Sequence, residues 1–309
     1  MRVSVIIPVY NRPELGERAV RSAVAQRVDG MEVIVVDDCS QPPFRLALDI
    51  AAKPNVRLIR NETNGGESVA RNNGVAVAKG NWIAFLDSDD YWLADTLRPR
   101  LEFAEREFLA ENDVMAAYAA GFVVDNKRTG QRQARIPKES ARVLDFASGC
   151  WFAPGSTTLC RKEAIDRVGP SDPRLRRLQD VDWFLRLALA GGKIRVWAAV
   201  AAVIETGPKP AIATLEESAH HLRSKYAGKD CALCLPAQLM RRLEAYLDVE
   251  RASVFASQAR WFPMIYHLAR SLWRVPRFTL PLERFWFYDA VPLRLEPAGA
   301  APIRGRHAS

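Results

Sequence analysis

The stretch WIAFLDSDD, residues 82–90, joins an apolar run to three carboxylates. Its apolar part has the length of a strand that is buried on both faces. Similar runs precede it over Val3–Val9, Glu32–Val36 and Val56–Arg60, and segments with helical spacing, such as Phe44–Ala52, lie between them. Alternation of buried strands with helices is typical of a parallel sheet that helices cover on both sides. The first 90 residues are therefore predicted to form an α/β fold.

The rest of the chain divides near residues 206–210, where the sequence TGPKP is the best candidate for a linker. Beyond it the pattern is almost wholly helical. The helical segments there are Leu215–Tyr226, Ala237–Gln258 and Trp261–Leu272. We therefore expect an α/β region over residues 1–207 and a helical C-terminal extension over residues 208–309.

Polar side chains follow three of the predicted strands, at Tyr10-Asn11, Asp37-Asp38 and Asp87–Asp90. Ligands of such sheets bind beyond the carboxyl ends of the strands. Asp87 and Asp89 can hold a hard divalent cation there, and the cation can hold a diphosphate. Asp38 can accept a hydrogen bond from a base N–H or a ribose hydroxyl. For each of these carboxylates, a solvated turn or a helix cap is the alternative interpretation.

Four motifs together resemble the family 2 glycosyltransferases. They are SVIIPVYNR over residues 4–12, VVDDCS over residues 35–40, GESVARNNG over residues 66–74 and FLDSDD over residues 85–90. Their order and spacing follow that family across about residues 1–205. The resemblance implies the GT-A fold, a Rossmann-like, mostly parallel sheet flanked by helices. It also implies a nucleotide-binding half over residues 1–90 and an acceptor-binding half over residues 91–207.

The resemblance implies a set of donor-binding residues. Pro8 and Tyr10 would shape the base pocket, with the Tyr10 ring packing on the base. Asp38 would accept a hydrogen bond from the base ring N–H, which favours uracil or thymine. The other implied donor-binding residues are Asn11, Arg71, Asp87 and Ser88. Asp89 would bind Mn²⁺ or Mg²⁺ between the two phosphates. For Arg71, the alternative interpretation is an arginine on the exposed surface of a helix.

Residues 178–187, LQDVDWFLRL, resemble the acidic pair and following helix near the end of the family's catalytic domain. The usual Glu-Asp pair is Gln179-Asp180 here, which keeps the aspartate that would act as general base. Asp180 would take the proton of the acceptor hydroxyl as that oxygen attacks the anomeric carbon with inversion. Asp182 is the rival base, and its offset of two residues places it on a different side of the helix. A helix N-cap is the alternative for Asp180.

The acceptor side is less well defined by the sequence. Trp151 lies where the family has the strand and loop beside the acceptor, and it could stack on a sugar face or belong to the core. Many relatives carry a His shortly after the last strand of the catalytic domain, whereas this chain has ETGPK at residues 205–209. Lys209 is the candidate substitute for positive charge near the diphosphate.

The chain has 44 Lys and Arg against 36 Asp and Glu, a formal net charge of +8. Residues 209–309 hold fifteen of the basic residues and nine of the acidic ones, so most of the excess lies in the extension. Aromatic residues between these arginines suit an anionic membrane surface, but they could equally pack on the first region or form a homodimer contact. No recognition motif accompanies the charge, so we expect no nucleic-acid partner.

Several classes lack their sequence signatures. The chain has no G-x-G-x-x-G after the first strand and no G-x-x-x-x-G-K-[ST], the fingerprints of dinucleotide oxidoreductases and of phosphate loops. The run at Val3–Val9 is too short for the core of a signal peptide, and Val114–Val124 is too short to span a bilayer. We therefore expect a cytoplasmic protein, at the inner face of the cell membrane if the extension binds lipid.

These observations predict an inverting, metal-dependent glycosyltransferase. The donor would be a UDP-sugar, with dTDP- or GDP-sugars as less favoured choices. The acceptor would be a hydroxyl of a glycan or lipid-linked saccharide, as in the biosynthesis of bacterial cell-surface polysaccharide or lipopolysaccharide. A nucleotidyltransferase is disfavoured because no glycine-rich basic segment follows the first strand. A non-catalytic binder of nucleotide sugars is disfavoured because Asp87, Asp89 and Asp180 are all present.

Overall fold

A computed structural model describes residues 2–207, 209–227, 233–276 and 283–289. The strands are β1 (Val3–Val9), β2 (Met31–Asp37), β3 (Val56–Arg60), β4 (Trp82–Phe85), β5 (Tyr91–Trp92), β6 (Ala116–Asn126), β7 (Arg132–Pro137), β8 (Leu159–Arg161), β9 (Lys193–Thr206) and β10 (Trp286–Asp289). The helices are α1 (Pro13–Val24), α2 (Leu48–Ala51), α3 (Glu67–Val77), α4 (Leu97–Glu111), α5 (Val143–Phe146), α6 (Pro154–Thr157), α7 (Lys162–Val168), α8 (Gln179–Leu189), α9 (Ile212–Ala227), α10 (Ala237–Ser257) and α11 (Trp261–Arg274).

Within the described residues the strands form one mixed sheet in the order β10-β7-β6-β8-β4-β1-β2-β3, which β9 and β5 extend from β6. Strands β3, β2, β1 and β4 run parallel because a helical connection returns the chain between them. Strand β8 pairs antiparallel with β4 and β6, and β7 pairs antiparallel with β6. The predicted fold class, an α/β sheet flanked by helices with a helical C-terminal region, is confirmed. Its parallel part lies largely in the first 90 residues.

The parallel strands are buried on both faces, as their continuous apolar sequences predict. On one face, Ile6 of β1 belongs to a core cluster with Ile34 and residues of α3, α8 and α9. On the other face, Val5 and Ile7 belong to a cluster with residues of α1 and α4. Full burial of a Val or Ile side chain contributes about 1.5–3 kcal/mol, so these strands anchor the loops at their carboxyl ends.

The loop after β2 differs from the predicted helix over Phe44–Ala52, since α2 forms a single turn. The fully buried Asp37 carboxylate accepts hydrogen bonds from the backbone N–H groups of Ser40 and Phe44, at 2.9 and 3.1 Å. Arg60 of β3 donates to the same carboxylate. These bonds hold residues 38–44 in a loop, and the regular helix is confined to Leu48–Ala51 within the predicted range.

The C-terminal extension packs on the rest of the molecule. Leu215, Leu222 and Tyr226 of α9 lie in the same core cluster as the apolar face of α8. Strand β10 pairs antiparallel with β7, so a segment predicted to be helical contributes an edge strand. The division of the chain at residue 207 stays a prediction. Among the described residues, no helix is both long enough and apolar enough to cross a membrane.

Candidate active site

A cleft of about 450 Å³ opens at the carboxyl ends of β1 and β4. Strand β1 pairs with β2 on one side and with β4 on the other, so the chain order changes direction at this point. A crevice at such a switch point is where open α/β sheets bind ligands. The residues that line the cleft are Pro8, Val9, Tyr10, Arg12, Asp38, Asn64, Gly66, Glu67, Ala70, Asp87, Ser88, Asp89, Arg176 and Arg177.

The lining includes most of the predicted donor-binding residues. Pro8, Asp38 and Ser88 lie in the wall, and the Tyr10 ring keeps 45% of its surface exposed at the cleft. Asn11 instead supports the loop after β2: its backbone N–H donates to Ser40 Oγ at 2.9 Å, and its Oδ1 accepts from the backbone of Gln41 at 2.7 Å. Asn11 therefore acts on the cleft indirectly, because it holds the loop after β2 in place.

The adjacent carboxylates of Asp37 and Asp38 have separate tasks. Asp37 closes the loop behind β2, whereas Asp38 faces the cleft. Asp38 accepts three hydrogen bonds, from Asn61 Nδ2 at 2.7 Å and from the backbone N–H groups of Gly65 and Gly66 at 3.0 and 2.7 Å. A carboxylate offers about four acceptor positions, so roughly one is left for a ligand.

Asp87, Asp89 and Asp90 bring carboxylate oxygens within 4.8 Å of one another at the end of β4. Burial and the neighbouring Asp87 charge raise the pKa of Asp89. Burial also raises the pKa of Asp90, with further contributions from Asp87 and Asp89. Hard divalent cations prefer oxygen ligands, and a cation here would relieve the repulsion among the three carboxylates. Their donor set therefore fits Mn²⁺ or Mg²⁺.

Residues from other parts of the chain hold two carboxylates of this cluster, those of Asp89 and Asp90. Asp89 forms an ion pair with Arg12, which precedes α1. Asp90 is buried, accepts from Ser156 Oγ of α6, and accepts from the backbone N–H of Glu205 at 3.0 Å. The geometry of the cluster thus depends on elements that follow β4 by about 70 and 115 positions.

Arg71 lies under the cleft and contacts three carboxylates. Its Nη1 donates to Asp180 Oδ1 at 2.6 Å, its Nη2 donates to Asp87 Oδ1 at 2.7 Å, and it also pairs with Glu67. Its side chain is almost completely buried. Burial opposes the charged form, but the three carboxylates outweigh it and raise the pKa of Arg71. The guanidinium therefore stays charged and draws Asp180 of α8 towards the β4 end.

A glycine lets this arrangement pack closely. Gly155 of α6 lies against the Arg71 and Asp87 side chains, and a Cβ atom at this position would lie 2.0 Å from Asp87 Oδ2. Such a distance is far inside van der Waals contact, so any larger residue would push the pair apart. The local sequence PGST gives no indication of this contact, which depends on how α6 docks on β4.

Glu67 is a site residue that the sequence interpretation did not single out. It lines the cleft at the start of α3, one helical turn before Arg71. Burial raises the pKa of Glu67 to about 7 against the pull of Arg71, and the charges of Asp87 and Asp180 add to the rise. A hydrogen bond from Gln179 acts in the opposite direction. Gln179, which replaces the family's usual glutamate, therefore contacts a neighbouring carboxylate that a second glutamate would repel.

The two aspartates of α8 lie on different sides of the helix, as their spacing predicts. Asp180 faces Arg71 and keeps part of its side chain exposed. Asp182 is fully buried and accepts from Tyr226 Oη at 2.8 Å, and it forms ion pairs with Lys225 at 2.6 Å and Arg186 at 3.0 Å. These contacts join α8 to α9. Asp182 therefore lies away from the cleft and stabilises the packing of these two helices.

Trp151, the predicted acceptor-side aromatic residue, lies in the core. It is fully buried, stacks on Phe285 with ring centroids 4.5 Å apart, and donates from Nε1 to the Lys138 carbonyl at 2.7 Å. The structure therefore shows the core alternative, in which the ring has no face for a sugar. Stacking on Phe285 depends on a residue 134 positions later, which explains why local sequence left the choice open.

The positively charged side chains of the cleft are arginines, whereas the sequence suggested Lys209. Arg12, Arg176 and Arg177 are among its lining residues, and Arg176 Nη1 donates to Asn64 Oδ1 at 2.7 Å. Lys209 is exposed and is not among the residues that line the cleft. The arginine pair lies just before α8 in a segment without a regular pattern, so no sequence signal identified it.

Residues 4–169 match the family model described as glycosyl transferase family 2, which is more than half of the chain. The chain belongs to glycosyl transferase family 2. Among curated relatives of this family 2 chain, the succinoglycan biosynthesis protein ExoO of Rhizobium meliloti is 42% identical over 103 residues, which are 33% of this chain and 30% of the relative. The amylovoran biosynthesis glycosyltransferase AmsB of Erwinia amylovora is 28% identical over 196 residues, which are 62% of this chain and 65% of the relative.

The matches span less than two thirds of the length of either relative. Among solved structures, the family 2 chain is similar to S. aureus TarS 1-349 in complex with UDP-GlcNAc, with a TM-score of 0.58 and 21% identity. The alignment covers 89% of this chain and 82% of the TarS chain. This likeness confirms the GT-A fold that the motifs imply. The resemblance to family 2 is confirmed by the family model.

Proposed function

We propose that the protein is an inverting glycosyltransferase that moves a sugar from a nucleotide sugar, with a UDP-sugar as the favoured donor. One observation carries the proposal: Arg71 holds Asp87, which lines the cleft, and Asp180, which lines a small neighbouring cavity, on the same guanidinium. A carboxylate suited to act as a base thereby lies next to carboxylates suited to hold a metal. The name of AmsB, an amylovoran biosynthesis glycosyltransferase, and the UDP-GlcNAc complex of TarS support the same class of reaction. The name of ExoO, a succinoglycan biosynthesis protein, supports a place in polysaccharide biosynthesis.

In this proposal the nucleotide lies over the ends of β1 and β2. Tyr10 packs its exposed ring on the base, beside Pro8. The remaining acceptor position of Asp38 binds the base ring N–H, which favours uracil or thymine over adenine, whose base-pairing edge has no ring N–H. Because three protein donors already orient the Asp38 carboxylate, its free lone pair is fixed in direction before the nucleotide binds.

The diphosphate then lies towards the end of β4. Asp89 and Asp87, with Asp90 behind them, would hold Mn²⁺ or Mg²⁺, which supplies positive charge to the diphosphate as it leaves. Arg12, Arg176 and Arg177 add positive charge around the same cleft, in place of the histidine that many relatives carry. Asp87 and Ser88 lie beside the ribose in this arrangement.

The chemical step requires a base on the face opposite the diphosphate. Asp180 accepts the proton of the acceptor hydroxyl while that oxygen forms a bond to the anomeric carbon and the bond from that carbon to the diphosphate oxygen breaks. We assign the proton to Asp180 Oδ2, because Oδ1 accepts from Arg71. The product carries the inverted configuration at the anomeric carbon.

The acceptor is proposed to be a hydroxyl of a glycan or lipid-linked saccharide in cell-surface polysaccharide biosynthesis, including lipopolysaccharide. A cytoplasmic location at the inner face of the membrane, membrane-surface binding by the extension and homodimer formation remain predictions, as does the absence of a nucleic-acid partner. The division into residues 1–90, 91–207 and 208–309 is proposed on the same basis.

Nucleotide release from a panel of UDP-, dTDP- and GDP-sugars, with Mn²⁺ or Mg²⁺ and with a chelator, tests the proposal. We expect release from a UDP-sugar that depends on the metal. Thermal stabilisation by each nucleotide provides a second readout that does not require the correct acceptor. If UDP with Mn²⁺ neither stabilises the protein nor competes with a donor across a wide concentration range, the donor assignment is wrong.

A further inference from the structure

Helix α11 presents its apolar side to solvent. Phe262 and Trp273 are 89% and 79% exposed, and Trp261, Ile265 and Tyr266 are each more than half exposed. These residues recur at the spacing of one helical face. We call this surface, formed by Trp261, Phe262, Ile265, Tyr266 and Trp273, the aromatic face. Contiguous exposed apolar surface of this kind is typical of an interaction site.

The opposite side of α11 carries its polar residues, and these contact α10. His267 Nδ1 lies 3.1 Å from Asp248 Oδ1, and Arg274 Nε lies 3.5 Å from Asp248 Oδ2. Ser271 Oγ donates to the Ala245 carbonyl at 2.8 Å. Asp248 is fully buried. If the helix rolled to hide its aromatic face, this buried carboxylate would keep Arg251 of α10 but lose His267, Arg270 and Arg274, which is unfavourable.

The charge on α11 itself has one sign, and its Arg270 and Arg274 pair with Asp248 of α10. Residues 251–282 contain five Arg and no Asp or Glu. Arg260 is exposed at the start of α11, with its guanidinium 4.9 Å from the Phe255 ring centroid, and Arg270 lies over Tyr266 at 5.4 Å. A second copy of this chain docked face to face would bring two basic helices together with no acidic residue on either. An anionic surface complements this charge, whereas self-association does not.

We propose that the aromatic face of α11 docks on the anionic surface of a lipid bilayer. Its aromatic rings would enter the boundary between headgroups and acyl chains, and the exposed Arg260 would contact lipid phosphates. Trp and Tyr suit this boundary because their rings are apolar with one polar edge. The inference names the surface for the proposed membrane association and does not depend on the proposed sugar transfer.

Co-sedimentation of the full chain with vesicles tests the inference. We expect binding to phosphatidylcholine vesicles that contain about one third phosphatidylglycerol, with weaker binding to phosphatidylcholine alone and at high salt. The double variant Phe262→Ser/Trp273→Ser should lower the vesicle partition coefficient by about tenfold or more. The matched control is Leu48→Ser/Leu109→Ser, which removes two side chains that are 89% and 73% exposed elsewhere on the molecule.

The control should bind as the unaltered chain does, and both variants should keep the melting temperature and the stabilisation by UDP. The inference is overturned if the unaltered chain stays in the supernatant with anionic vesicles, or if the Phe262/Trp273 variant binds them equally well. A dimer in sedimentation equilibrium that this variant abolishes, without vesicle binding, would assign the face to a second copy instead. Since vesicle binding is read without turnover, its failure is distinct from a failure of the proposed glycosyltransferase activity.

Discussion

Arg71 and Asp180 stand 109 positions apart in the chain, and Arg71 Nη1 donates a 2.6 Å hydrogen bond to Asp180 Oδ1. The other amino group of the same guanidinium donates to Asp87 at 2.7 Å. One buried cation thus sets the positions of a carboxylate after β4 and a carboxylate in the first turn of α8. The proposed metal-binding and base functions therefore depend on a shared residue, and a change at Arg71 should affect both.

Asp180→Asn should abolish turnover while leaving nucleotide binding intact. The variant keeps the shape of the side chain but cannot take the acceptor proton, and loss of a general base costs about 10²- to 10⁴-fold in rate. Nucleotide release measures the rate, and thermal stabilisation by UDP measures binding.

Asp182→Asn is the matched control because it alters the other aspartate of α8. That carboxylate is fully buried between Arg186, Lys225 and Tyr226. We expect a lower melting temperature and a rate within a few-fold of the unaltered protein. An equal loss of rate in both variants would move the base role away from Asp180.

Arg71→Met should destabilise the fold as well as the site. It leaves Glu67, Asp87 and Asp180 without their shared cation, and removing one partner of a buried ion pair costs about 3–5 kcal/mol. Urea unfolding measures the free energy of unfolding.

Arg106→Met provides the comparison at the surface, where the exposed guanidinium lies 3.7 Å from Glu107. Its free energy of unfolding should change by less than about 1 kcal/mol. Similar losses from the two substitutions would contradict the central position assigned to Arg71.

Asp89→Asn should weaken the dependence on metal. The substitution removes one charge from the cluster of three carboxylates, and affinity for Mn²⁺ depends on the charge of its ligands. We expect the extra stabilisation by UDP that Mn²⁺ provides to fall by at least half in a thermal shift titration. Asp95→Asn, which alters an exposed carboxylate six positions away, should leave it unchanged. Metal dependence that survives Asp89→Asn would place the cation elsewhere.

Glu67 should make the stability depend on pH. Its pKa rises from 4.5 to about 7 in the folded protein, mainly because the side chain loses much of its hydration in the cleft wall, where 36% of it stays exposed, and also because Asp87 and Asp180 lie nearby. Below about pH 4.5 the carboxyl is protonated in both states. Between pH 4.5 and 7 the unfolded chain loses this proton while the folded chain keeps it, so this group lowers stability as the pH rises.

Glu67→Gln isolates that contribution, because glutamine resembles the protonated side chain at every pH. Its melting temperature should approach that of the unaltered protein below about pH 4, exceed it increasingly between pH 4.5 and 7, and keep a constant excess above pH 7. Glu217→Gln, at an exposed position of α9, should give no such trend. A constant difference between Glu67→Gln and the unaltered protein between pH 4.5 and 7 would show that Glu67 is ionised throughout.

The local sequence was sufficient to predict the strands that carry the site and the carboxylates that follow them. The bounds of β1 and β3 were predicted as they are observed, because a buried strand needs a continuous apolar run and little else. Asp38 and Asp89 were identified for a related reason: a polar residue directly after such a strand has to emerge at the edge of the sheet. For Asp180 and Asp182, the helical period predicted that the two carboxylates would point to different sides of α8.

Partners that come from distant parts of the chain could not be predicted in this way. Arg176 and Arg177 reach the cleft through a segment without periodicity, and Gly155 is required only because α6 docks on the Arg71–Asp87 pair. Trp151 was undecided until the stacked Phe285 placed it in the core. The helix predicted over Phe44–Ala52 is confined to Leu48–Ala51, and the segment before it belongs to a loop that Asp37 holds, a contact that local periodicity does not show.

The sequence by itself therefore determined the α/β alternation, the family and the carboxylates that follow the strands, since each depends on residues close together in the chain. Only the tertiary structure decided which charged side chains share an ion-pair partner and which polar groups surround each buried side chain. Arg71 joins three carboxylates, and Glu67 acquires its raised pKa, because packing removes water from groups that the chain keeps far apart. The same holds for α11, whose aromatic face points outward because the buried Asp248 retains its polar face.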